Sequence, residues 1–450
     1  MSIGSQSPQS TQASPPDNKG VRRAAMSVIA DAKRVRRLQW QVLLATMFCY
    51  LFYYTGRQSF GFAIPFIEAE LGISKTQLGF VSAALLWSYA LGQAVNGNLG
   101  DRFGGRRMVA LGSLLSCALN WLTSFAGSLA GLAVPWGING FAQSMGWAPG
   151  SRVLANWWPP DERGRAYGYY VFAAGMSSVL TYGLATWIIG SGLDWRWLFR
   201  LPVLLMVAGG IAYYLLVRDH PRDLGLEPSD LAEESAANQN AAPVDDANGL
   251  PMPETAWQRY HAVLVDRRFL AGCVAIGFQS LARYGLLIWV PVYFLGSEWK
   301  STSGGRWLPL ALPIGMALGA LASGKLSDTW FRGRRWALIS LSLAAAAITS
   351  VGMYLLPQGD VRGLPLLFLC GFFAYGPQSA FWALCPELLG THRAGTGTGV
   401  MNTFAYVFAG LGEPLIGYVI EYSEAGAVLV FPVIAVSCLL GALIAPWIRR

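Results

Sequence analysis

The sequence predicts an all-α membrane protein: twelve transmembrane helices in two pseudo-symmetric six-helix bundles, with both termini in the cytoplasm. Three observations predict it. Of 450 residues, 54% are hydrophobic and only 13% charged, about half the charged share near 25% that soluble chains carry. Apolar runs of about 20 residues, enough to cross roughly 30 Å of hydrocarbon, recur in two sets of six around one long polar gap. Short charged signatures near the second and fifth runs return six runs later.

Each element follows in order. Residues 1–20 are rich in Ser, Gln and Pro and cannot bury enough apolar surface to order themselves. Residues 21–40 add Arg22, Arg23, Lys33, Arg34, Arg36 and Arg37. They suit either a basic helix lying on the membrane surface or a cytoplasmic tail that obeys charge rules. Residues 1–40 are therefore a disordered, basic N-tail. The first apolar run starts near Gln41 and lasts about 26 residues, too long and too late for a cleaved signal. Spans are expected at about 41–66, 77–100, 108–128, 131–154, 165–190 and 197–217, and again at about 268–295, 306–328, 336–356, 362–385, 394–420 and 425–447. The halves are 41–217 and 267–450, and residues 218–266, with ten acids and an Ala/Asn/Asp/Pro-rich middle, form a flexible cytoplasmic linker.

Charge placement sets the orientation. With both termini inside, 25 of the 33 Lys and Arg residues fall on the cytoplasmic side and six on the outer side. The two left over, Arg57 and Arg283, lie within spans. This distribution explains the net charge of +8 without nucleic acid.

Other chemistries find no support. The six cysteines lie in apolar runs without a C-x-x-C pair, and buried thiols act as small hydrophobes. His220, His261 and His392 sit in polar connections, so neither a metal site nor a cofactor is expected. Gly319 to Lys325 approximates a P-loop, but Leu326 replaces its Ser/Thr and the setting is a span. The run Gly395–Thr396–Gly397–Thr398–Gly399 fits close helix packing. An enzyme is not expected.

The segment Gly97–Asn98–Leu99–Gly100–Asp101–Arg102–Phe103–Gly104–Gly105–Arg106–Arg107 closes span 2. Gly324–Lys325–Leu326–Ser327–Asp328, with Arg332, Arg334 and Arg335, closes span 8, and Arg163–Gly164–Arg165 is echoed at Arg393–Ala394–Gly395. The first segment resembles the G-x-L-(A/G)-D-R-x-G-R-(K/R) signature of the major facilitator superfamily. Duplicated six-span halves mark rocker-type transporters. The resemblance implies that Asp101, Arg102, Arg106, Asp328 and Arg334 form gating ion pairs across the interface between halves.

A finer resemblance covers Leu38 to Arg450. It rests on Tyr53–Tyr54–Thr55–Gly56–Arg57–Gln58–Ser59–Phe60, on Asn139 to Pro149 with Trp157–Trp158, on Arg283–Tyr284–Gly285 with Trp289 and Pro291, and on Tyr375–Gly376–Pro377 with Glu387. These patches resemble the organophosphate:phosphate antiporters, and the resemblance implies that Arg57 and Arg283 clamp a phosphate. The residues alone single out the same pair. A charge near the bilayer centre costs about 2.5–3.5 kcal/mol on insertion scales, so it should face a cavity and a partner. Two guanidinium forks at equivalent places in the halves suit an oxyanion of about −1.5 to −2 charge.

This chain departs from the glycerol-phosphate members at Gln58, Gln93, Ala174 and Pro313, where those members carry Lys, Lys, His and a carboxylate. The clamp is kept and the charges around it are gone. Tyr54, Tyr89, Gln93, Asn402 and Tyr406 are candidate hydrogen-bonding residues near the clamp. Glu413, before Pro414, is a candidate for proton coupling or for tying down broken backbone. The expected protein is a monomeric secondary transporter of the bacterial inner membrane that exchanges a small organophosphate or related anion for inorganic phosphate. A proton-coupled organic-anion symporter and a transporter-like receptor for sugar phosphates are the alternatives.

Overall fold

A computed structural model describes residues 18–158, 160–226, 256–295, 305–331, 334–357 and 360–449. The side chains of 18–32 and of scattered helical positions, Asp101 and Asp328 among them, lie outside the described set. All twelve expected spans are helical. Spans 2 to 6 are Lys75–Phe103, Gly105–Thr123, Leu129–Trp157, Pro160–Gly190 and Trp197–Leu216. Spans 7 to 9 are Arg267–Leu295, Ala311–Thr329 and Arg335–Leu355, and spans 11 and 12 are Thr391–Glu421 and Gly426–Ile448.

Spans 1 and 10 are broken. Span 1 is Asn18–Tyr53 followed by Phe60–Leu71, with a 3₁₀ turn at Tyr54–Gly56 between them. Span 10 is Gly363–Tyr375 followed by Gln378–Leu389, parted at Gly376 and Pro377. The tail differs from expectation too. Residues 18–40 are not a separate segment but the first turns of the helix Asn18–Tyr53. Between Val21 and Thr55 no Gly or Pro interrupts a sequence rich in Ala, Leu, Arg and Gln, all strong helix formers. Of the tail, residues 1–17 lie outside the described set, as does most of the linker, whose last stretch, Ala256–Val265, forms a helix that leads into span 7.

Among the described residues, seven helices qualify as spans on length and apolarity alone. The others carry glycines and amides that face neighbouring helices. Large apolar side chains such as Leu44, Leu122, Leu215, Ile348 and Leu443 point outward, as a lipid-facing surface requires.

The halves meet along span 2 with span 11, span 5 with span 8, and the second piece of span 1 with span 7. At the end opposite the termini this seam is shut. A Cβ on Gly79 would stand 2.6 Å from the Glu413 carbonyl oxygen, and one on Gly417 would stand 2.5 Å from that of Lys75. Only glycine permits such backbone approach. Polar ties reinforce it: Glu421 accepts from the Thr76 backbone N–H at 2.9 Å, and Tyr182 donates to the Leu287 carbonyl at 2.8 Å.

Candidate functional site

The site begins with the break in span 1. Thr55 and Gly56 weaken the helix, and Arg57 adopts φ −143°, ψ −25°, outside helical geometry. Broken backbone inside a membrane persists only when its polar groups find protein partners. Here the Gly56 carbonyl accepts from Asn120 Nδ2 at 3.0 Å and Asn139 Nδ2 at 2.8 Å. Ser116 holds Asn139 by donating to its Oδ1 at 2.6 Å, and Gln143 donates to Ser116 Oγ at 2.7 Å. An amide cluster on spans 3 and 4 thus holds the break that carries Arg57.

Arg57 is 4% exposed, with its guanidinium carbon 3.9 Å from the Tyr54 ring and 4.9 Å from the Tyr89 ring. Arg283, 8% exposed, comes from the middle of span 7 and donates through Nη2 to the Tyr54 hydroxyl at 3.3 Å. Its guanidinium lies 4.1 Å from the Tyr375 ring and 5.0 Å from the Tyr284 ring. Tyr284 donates to the Tyr406 hydroxyl at 3.1 Å, and Tyr406 packs on Tyr89 with ring centres 4.5 Å apart. Tyr54 therefore touches both cations. The Nε of each arginine has no hydrogen-bond acceptor among the described residues. Aromatic faces stabilise a guanidinium by about 0.5–2 kcal/mol but do not satisfy its N–H groups. Both arginines are positioned and left with donors to spare.

Beside the pair lies a chamber of about 50 Å³ whose walls include Arg283, Tyr54, Tyr284, Tyr375, Ala174 and Asn402. No acid is among its described walls. A second space of about 580 Å³, bounded by Gln93, Ser151, Tyr167, Tyr260 and Thr398, opens toward the end of the bundle that carries the termini. Trp147, Val171, Trp382 and Asn402 belong to both and form the partition between them. The arrangement is a small cationic chamber, shut at one end and reached through a neutral vestibule at the other.

The structure brings together Arg57, Arg283, Tyr54, Tyr89 and Tyr406, with Asn402 at the partition. Gln93 is elsewhere: it lines the vestibule and not the chamber. Glu413 is fully buried in the shut seam, where its Oε2 accepts from Trp289 Nε1 at 2.9 Å. Cross-interface pairing is not what Arg106 does here. Its Nε donates to the Tyr214 carbonyl at 2.6 Å and its backbone N–H to Asp219 at 2.8 Å, both at the end of span 6 in its own half. Positive charge beside the last carbonyls of a helix is favourable, which accounts for this placement of Arg106. Arg102 is exposed, Arg334 lines a separate cleft, and Asp101 and Asp328 lie outside the described side chains.

Sequence reasoning did not single out Tyr284 and Tyr375 as ring partners of Arg283, Trp147 and Trp382 as the partition, or Asn120 and Asn139 as the support. A signal for the last existed. Ser116 and Asn120, like Asn139 and Gln143, are amide or hydroxyl pairs one turn apart inside apolar spans, and such groups are expensive in a membrane unless they bond.

Two six-helix bundles around a buried cation pair, with the seam between them shut at one end among the described residues, define the architecture of an alternating-access carrier. Residues 46–413 match the model of the Major Facilitator Superfamily, and the chain belongs to that family. It is a multi-pass membrane protein. It is 29% identical over 402 residues to a glycerol-3-phosphate transporter of Bacillus subtilis, covering 86% of this chain and 87% of that one. It is 27% identical over 396 residues to the membrane sensor protein UhpC of Salmonella typhimurium, covering 85% and 86%. In fold it is similar to the inward-open xylose transporter XylE of E. coli, with a TM-score of 0.67 at 14% identity over 90% of this chain and 95% of that one.

Proposed function

We propose that this protein is a secondary transporter that moves a small organophosphate across the bacterial inner membrane by alternating access, in exchange for inorganic phosphate. The observation that carries the reading is the pair of buried arginines, bridged by Tyr54, each with an Nε that lacks an acceptor among the described residues. A phosphate oxyanion supplies the missing acceptors and joins Arg57 of one half to Arg283 of the other. Binding then favours the state in which both halves close on the anion, and an empty carrier, left with two facing cations, resists that closure. Coupling of this kind makes exchange the natural mode. With the termini in the cytoplasm, the present conformation faces inward. Because Ala174 and the tyrosines add no further charge around the chamber, the substrate binds through one dianionic head and carries an uncharged remainder.

Two other readings have their own support. Glu413, buried at the seam, would serve proton coupling in a symporter. The likeness to a membrane sensor supports a receptor that binds ligand without moving it. The deciding experiment reconstitutes the purified protein in vesicles loaded with labelled phosphate and offers organic anions outside. Efflux driven by external monophosphates or phosphonates, ahead of dicarboxylates of equal size, is expected. Preference for dicarboxylates, with uptake that follows a pH gradient, would favour the symporter. Binding without flux would favour the receptor.

A further inference from the structure

Away from the clamp, the end of the bundle that carries the termini holds a second basic cleft. It measures about 530 Å³ and is walled by the start of span 9, the end of span 10 and the chain after span 12. None of its wall residues belongs to the chamber or the vestibule. Among the described residues three guanidiniums face it, from Arg334, Arg335 and Arg449, against the one carboxylate of Glu387. Arg335 is already engaged, with its Nε 3.0 Å from Glu387 Oε1. Arg449 is braced by Trp336, whose ring centre is 4.8 Å from its guanidinium carbon. The remaining wall is apolar and includes Leu388.

Depth in the membrane is set by two neighbours. Trp330 is 83% exposed and Trp447 is 75% exposed, and exposed tryptophans of a membrane protein belong at headgroup level. A cleft at that level, with a surplus of guanidinium over carboxylate and an apolar wall, has the chemistry of a phosphate ester attached to a hydrophobic body. Basic pockets between helices at the cytoplasmic leaflet bind such headgroups.

We propose that this cleft is a binding site for the phosphodiester headgroup of an anionic phospholipid. Arg334 and Arg449 hold the phosphate, the Arg335–Glu387 pair forms the fixed wall, and Leu388 lies against the glycerol and upper acyl carbons. The lipid ties the ends of spans 9, 10 and 12 into one unit of the second half. The site is independent of the substrate, so its test leaves the transport reading untouched.

The test measures lipid retained by the purified, delipidated full chain after titration with dioleoylphosphatidylglycerol, using native mass spectrometry. Phosphatidylcholine and inorganic phosphate serve as comparison ligands. Wild-type protein should bind the anionic lipid well above phosphatidylcholine. Arg334→Gln with Arg449→Gln should weaken it roughly thirtyfold, since each basic residue near a headgroup contributes about fivefold in affinity and the two losses multiply. Leu388→Trp fills the cleft without changing any charge and should also lower retention. Both variants alter residues at an end of the bundle, and monodispersity confirms that they fold. Equal retention in wild type and both variants would overturn the site, as would competition by inorganic phosphate at the lipid's own concentration, which would make it a site for free phosphate.

Discussion

Arg57 and Arg283 are similar in burial and differ in how they are held. Arg57 stands in broken backbone between two tyrosine rings, while Arg283 rises from an unbroken helix and donates to Tyr54. Both offer a planar fork that can hold two phosphate oxygens at once, which lysine cannot. Arg57→Lys and Arg283→Lys should therefore each weaken phosphate binding roughly ten- to a hundredfold, the loss of one charge-assisted contact of about 1.5–3 kcal/mol. Titration calorimetry on monodisperse protein reads this directly. Arg106→Lys is the control, because Arg106 is spent on the end of span 6; wild-type affinity in both clamp variants would remove the site. These two arginines were legible in the sequence because charge is rare and costly in a span. Their aromatic partners were not, because a tyrosine in a span packs, anchors or binds without any change in sequence pattern. Gln93 shows the converse limit: helical spacing put it on the face of Tyr89, yet one turn along the helix is enough to move a side chain from the chamber to the vestibule.

At the scale of elements, each apolar run of the sequence falls on a helix, but hydropathy did not place the breaks in two of them. An apolar run records how long a helix can be, and says little about which carbonyl a distant amide will capture. Span 1 stops at Gly56 because Asn120 and Asn139, on other helices, take its carbonyl, and that information is tertiary. The same holds at Arg106, whose partners at the end of span 6 are set by packing within its own half and not by the motif. It also yields a test. Asn139→Ala removes one of the two donors and leaves the backbone at Arg57 less firmly fixed. The Gly56 carbonyl keeps Asn120, but the buried Ser116 hydroxyl loses its acceptor, and a buried group left unpaired costs about 1–3 kcal/mol, so the melting midpoint should fall. Phosphate affinity should fall with it by roughly tenfold if the break positions Arg57. A lower midpoint with unchanged affinity would mean that the amide cluster stabilises the fold alone.

The whole molecule joins two halves across a seam that is shut at one end, and its charge map and that seam make separate predictions about it. If the lysine and arginine bias sets orientation, a reporter fused after Arg450 and another near Asn240 should be cytoplasmic, with one at Gly359 external; finding the first and last on the same side would reverse that reading. The seam tests motion. Gly79 and Gly417 let backbones of opposite halves approach so closely that a Cβ would stand 2.6 Å and 2.5 Å from facing carbonyls. Such contacts exist only while this end is closed. Gly79→Leu should act as a wedge, destabilising the closed seam and leaving the opposite conformation, where these helices part, unaffected. Overpacking costs about 1–3 kcal/mol, enough to shift the equilibrium roughly five- to a hundredfold toward opening at this end. Ser82 lies one turn from Gly79, buried at 4% exposure, so Ser82→Cys reports the change through a membrane-impermeant thiol reagent. Background is low, since five native cysteines are buried and Cys117 is only partly exposed. Labelling from the side opposite the termini should rise in the Gly79→Leu background and fall again when substrate drives the halves together. Unchanged labelling, or labelling that rises only from the termini side, would mean that the seam is a permanent contact and that the halves do not rock about the clamp.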